Sequence, residues 1–88
     1  MRVHIAGIGG TFMTGLALLA RERGLDVHGS DQAIYPPMST LLSNERIAVT
    51  GGYEPDSLLP NTAMCIIGNA LSRGNPLIEH ILENRIPY

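Results

Sequence analysis

With 88 residues the chain has room for one domain, and a domain of that size buries only about 60 to 65% of its unfolded surface, so modest stability is expected. A hydrophobic share of 44%, a charged share of 16% and ten glycines are ordinary for a soluble α/β domain and exclude disorder. A formal net charge of -2, with six scattered basic residues, leaves no electrostatic footprint for nucleic acid or an anionic membrane.

The opening residues form too short an apolar run for a signal peptide, and nothing later reaches transmembrane length, so a cytoplasmic protein is expected. Residues 2–6 read as a β-branched strand, broken by Gly7-Ile8-Gly9-Gly10. Met13, Leu16, Ala17 and Ala20 then recur at helical spacing, and Gly24 is placed to end that helix in the left-handed conformation. A strand from about Asp26 to Gly29 completes a βαβ unit, whose two strands should be parallel.

Pro36-Pro37 suits a helix start, so Met38 to Glu45 is a short second helix expected to bury Met38, Leu41 and Leu42. Ile47 to Thr50 reads as a third strand, and Pro55 to Pro60 as a single helical turn between prolines. Ala63 to Gly68 is apolar without alternation, the pattern of a strand covered on both faces and hence central. Cys65 lies in that run and is expected to be a small buried hydrophobe. Asn75 and Pro76 cap and open a helix to about Asn84, with Leu77, Ile78, Ile81 and Leu82 in one stripe; Ile86 to Tyr88 then resembles a fifth strand. The predicted fold is α/β: a Rossmann-like three-layer domain with a parallel sheet of about five strands and a glycine-rich loop after the first.

The strongest chemical feature is Gly7 to Gly15, because it follows a strand and opens a helix, as a phosphate-binding turn requires. The amides of Gly10, Thr11 and Phe12 would point at an anion with the helix dipole behind them. The plainer alternative is a tight strand-to-helix turn and nothing more. The third glycine of the dinucleotide fingerprint is replaced by Phe12, which speaks against NAD in its usual pose. Asp31, ending the second strand after Ser30, stands where a carboxylate accepts hydrogen bonds from a nucleoside; its alternative is an ordinary turn aspartate.

Asn69 leaves the fourth strand at the edge where open α/β sheets place ligands, while Arg73 is evenly balanced between a solvated loop charge and a contact. His4, His28 and His80 show no metal spacing, and no G-x-x-x-x-G-K-[ST] loop exists to hold ATP. The residues therefore describe a binding module without catalytic machinery.

Gly7 to Gly15 resembles the N-terminal loop of the Mur ligases of peptidoglycan synthesis, and Gly29-Ser30-Asp31 is similar to their second-strand ending. Gly10 to Met13, Tyr35 to Thr40, Gly68 to Ala70 and Arg73 to Pro76 resemble the branch that joins the recycled tripeptide L-alanyl-γ-D-glutamyl-meso-diaminopimelate to UDP-N-acetylmuramate. The resemblance implies a bacterial three-domain ligase of which residues 1–88 are the first, UDP-binding domain. The central and C-terminal domains would be its partners, and ATP and magnesium would be held there, with no cofactor and no metal in this domain. Activation of the muramoyl carboxylate and attack by the peptide amine would likewise occur outside this chain.

Carried over by position, Gly7 and the loop from Gly9 and Gly10 through Thr11 and Phe12 would hold the diphosphate. Ser30 and Asp31 would face the uridine, and Asn69 with Ala70 the uracil side. Gly9 departs from a cysteine common in that branch, and Thr14 from a common glycine. The branch that adds L-alanine to the same nucleotide shares the loop but not Phe12 or Tyr35-Pro36-Pro37; a nicotinamide-binding domain is the alternative of another class.

Overall fold

A computed structural model describes residues 1–53, 58, 59, 61–68, 71 and 74–88. The elements run β1 (Arg2–Ala6), α1 (Thr11–Glu22), β2 (Asp26–Asp31), α2 (Met38–Asn44), β3 (Ala48–Gly51), β4 (Thr62–Ile67) and α3 (Pro76–Glu83). The four strands form one sheet in the order β3-β2-β1-β4, and every pairing is parallel. The α/β class and the glycine-rich loop after β1 stand as expected.

Side chains of a strand alternate between faces, and β1 shows the consequence. Val3 and Ile5 pack with Val27, Ala17 of α1 and Leu42 of α2, whereas Ala6 packs with Cys65, Leu77 and Ile81 of α3. Helices therefore cover both faces, giving three layers. Leu77, Ile78 and Ile81 are buried as the stripe predicts, and Asn75 caps α3 by accepting from Leu77 N and Ile78 N. Of the expected apolar face of α2, Leu42 is buried, but Leu41 stays exposed at the protein surface.

Two expectations need correction. Among the described residues the sheet has four strands, where about five were expected: Ile86 to Tyr88 sends a single Pro87 carbonyl to Cys65 N beside β4, and one such bond is no ladder. Accordingly β4 is a terminal strand of this sheet, with Ala63 and Met64 exposed, although its run of apolar residues predicts a central one. Of the turn expected between Pro55 and Pro60, only Leu58 and Leu59 are among the described residues.

The strand order places a change of direction between β1 and β4. From β1 the chain proceeds through β2 to β3 on one side, then crosses to β4 on the other. In open α/β sheets ligands bind at the carboxyl ends of the strands beside such a switch point. The Gly7 to Gly10 loop leaves β1 there.

Candidate nucleotide-binding site

Gly7 leaves β1 with φ +85°, a conformation that side chains rarely adopt, and so turns the chain sharply above the sheet. The turn is tied to β2 by its backbone: Gly7 N and Ile8 N both donate to the Ser30 carbonyl, at 2.8 and 3.2 Å. Ile8 is buried against the sheet, and the buried Thr14 hydroxyl donates to the Ile8 carbonyl at 2.7 Å. Thr14, flagged in the sequence only as a departure, therefore pins the loop to α1.

Gly10 is the N-cap of α1, with no side-chain cap and no acidic residue in the first turn. The N–H groups at a helix start have no carbonyl partner within the helix, and the dipole favours negative charge there. The Gly10 N–H itself donates to the Gly7 carbonyl at 3.2 Å, so it is not available as the sequence suggests. The amides of Thr11 and Phe12 remain the donors that the start of α1 offers to an anion. Phe12 itself is 79% exposed at the mouth of the cleft.

Asp31 links the two halves of the site. Its Oδ2 accepts the Gly9 N–H at 2.8 Å, while Oδ1 accepts Ala33 N–H and the Tyr53 hydroxyl, each at 3.3 Å. Burial first, and the Asp31 carboxylate second, raise the Tyr53 phenol above its ordinary range, so it is a neutral donor. The loop, Asp31, Tyr53, Ile67, Gly68 and Leu71 line a cleft of about 520 Å³. That is the size of a small-molecule site.

Ser30 is placed differently from its neighbour. Its side chain is buried and its hydroxyl lies 2.9 Å from His4 Nε2, on the sheet face opposite Ile5 and not in the cleft. What it gives the site is its carbonyl, which shapes the loop. Asn69, Ala70 and Arg73 lie outside the described residues. Tyr53 carried no signal in the sequence reading; a tyrosine one residue after the Gly51-Gly52 strand end was the only hint.

The chain contains no lysine, and no group of three metal-ligating side chains occurs among the described residues. The cleft is lined by glycine backbone, apolar side chains, the hydroxyl-bearing Thr11 and Tyr53, and one carboxylate, Asp31. These residues do not fit ATP with its metal ion; they fit an anion at the start of α1 with a hydrogen-bonding moiety toward Asp31.

The model of the Mur ligase family, catalytic domain, matches residues 2–88. The chain belongs to the Mur ligase family. It is 56% identical over 88 residues to the UDP-N-acetylmuramate--L-alanyl-gamma-D-glutamyl-meso-2,6-diaminoheptandioate ligase of Escherichia coli K12, covering all of this chain and 19% of that protein. The ligase of the same name from Haemophilus influenzae is 48% identical over 86 residues, covering 98% of this chain and 19% of that protein. Among solved structures, a murein peptide ligase from Psychrobacter arcticus superposes with a TM-score of 0.95 at 46% identity, over 100% of this chain and 18% of the other.

The chain thus spans about a fifth of the length of these relatives. The UDP-N-acetylmuramate--L-alanine ligase of Rhizorhabdus wittichii stands lower, at 36% identity. The family and branch that the sequence motifs resemble are therefore the ones found, and the alternative L-alanine-adding reading is the less favoured. No helix among the described residues of this Mur ligase chain is long and apolar enough to cross a membrane.

Proposed function

We propose that residues 1–88 are the nucleotide-holding first domain of a cytoplasmic ATP-dependent amide ligase, and that they bind the UDP moiety of UDP-N-acetylmuramate. The diphosphate rests on the Thr11 and Phe12 amides at the start of α1, and Gly7, Gly9 and Gly10 let the backbone come close. The nucleoside lies toward Asp31, with Asn69 and Ala70 assigned to the uracil side by their positions in the family. The ligase attaches the tripeptide L-alanyl-γ-D-glutamyl-meso-diaminopimelate, in line with the names of the two relatives of highest identity above. ATP and magnesium belong to the partner domains of the same protein, so the fragment alone is inactive.

The observation that carries this reading is the Gly9 N–H held at 2.8 Å by Asp31. It ties the loop after β1 to the Asp31 carboxylate at the switch point of the sheet, which supports reading the two as one binding unit. Calorimetric titration with UDP-N-acetylmuramate, UDP, NAD and ATP tests it. Binding of the two uridine nucleotides, with NAD and ATP silent, is the expected pattern. Binding of NAD alone, or of none of the four, defeats it.

A further inference from the structure

We infer that Tyr53 is a substrate-binding residue that reads the ribose of the nucleotide together with Asp31; this rests on the uridine-nucleotide reading above. Gly52 follows β3 with φ +133° and donates its N–H to the Asp31 carbonyl at 2.9 Å, so the chain folds back over the end of β2. That backbone tie delivers Tyr53 to the cleft directly above Asp31. Its ring is half-buried, packed against the cluster of Ala6, Cys65, Leu77 and Ile81, which fixes one edge of the ring while the other faces the cleft.

The two oxygens of Asp31 are not equivalent. Oδ2 is committed to the Gly9 amide by a short bond of 2.8 Å, while Oδ1 accepts only two long ones, at 3.3 Å, from Ala33 N–H and the Tyr53 hydroxyl. Bonds of that length lie beyond the common range for both N–H and O–H donors and yield readily to a better-placed donor. Oδ1 is thus the oxygen open to a ligand hydroxyl. A carboxylate only accepts, whereas a neutral phenol both donates and accepts.

Side by side, the two offer complementary partners to adjacent hydroxyls: one ribose hydroxyl donates to Asp31 Oδ1, and the phenol turns its O–H onto the oxygen of the other. The ring supplies an apolar wall toward the base, in the cleft that Ile67 and Leu71 also line. Of the residues that line the cleft, Tyr53 and Thr11 carry side-chain donors, and Tyr53 is the one hydrogen-bonded to Asp31.

The test compares the intact wild-type protein with Tyr53→Phe, titrated with UDP and with 2′,3′-dideoxy-UDP. Phenylalanine keeps the ring and its packing, so the fold is retained, which an unchanged thermal unfolding midpoint verifies. Wild-type protein is expected to prefer UDP, and Tyr53→Phe to lose about three- to tenfold on UDP while leaving the dideoxy nucleotide nearly unchanged. An unaltered ratio of the two affinities in Tyr53→Phe overturns the role of Tyr53 and leaves the uridine site standing. Failure of the wild-type protein to bind UDP at all removes the site itself, and the inference with it.

Discussion

A Cβ built on Gly29 would lie 2.6 Å from the Ile5 carbonyl oxygen and 2.6 Å from Ile8 Cδ1, while one on Gly9 would lie 2.8 Å from Asp31 Oδ2. In the first case a backbone atom of the central strand must give way; in the second, the end of a side chain that can swing. Gly29→Ala is therefore expected to cost about 3 kcal/mol by overpacking, and Gly9→Ala about 1 kcal/mol or less. Urea unfolding of the two variants measures both, and equal costs would contradict the argument.

Residue by residue, the sequence was informative where a position advertises its backbone, as Gly7 and Asp31 do. It was uninformative about Gly29, whose requirement comes from Ile8 packing across it, and about Tyr53, whose partner lies 22 residues away. Ser30 was misdirected for a simpler reason: strand residues alternate, and its hydroxyl faces His4 on the far side of the sheet.

At the scale of elements, hydrophobic period and capping residues located all seven, with boundaries within two residues. The position of β4 in the sheet was not legible, because an apolar run records what covers a strand and not how many strands lie beyond it. Nor was the pairing of β1 with β2 at His4 and His28, which stand opposite each other in register with ring centroids 4.5 Å apart. Both rings are buried, and neither Nδ1 atom has a hydrogen-bond partner among the described residues. Burial first, and then the neighbouring His28, lower the His4 pKa from 6.5 to about 4. His28 is lowered too, by burial and then by Arg2, with Asp26 opposing.

Folded values below the free ones mean that the unfolded chain binds more protons, so stability is complete above about pH 6.5 and falls as the pH drops toward 4. At ~1.4 kcal/mol for each pH unit between the two His4 values, the loss reaches ~3 kcal/mol. Urea midpoints taken from pH 7.5 down to 4.5 should follow this slope. His4→Gln, which keeps a hydrogen-bonding group for Ser30 but cannot titrate, should flatten it; an unchanged slope would clear His4 of responsibility.

For the whole molecule, the cleft depends on segments far apart in the chain: the loop after β1, the end of β2, Tyr53 after β3, and Gly68 and Leu71 after β4. Parallel pairing gathers these strand ends at one edge of the sheet, which is why the βαβ pattern points to the edge where the cleft lies, although the side chains lining it were only half legible. The central claim is that the diphosphate rests on the start of α1, and amide resonances followed during a titration with UDP test it most directly. The account predicts that Thr11 and Phe12 shift most, with Gly9 moving as Asp31 adjusts, while the amides of α2 stay still. Shifts centred on α2 or α3, with the start of α1 unmoved, would contradict it.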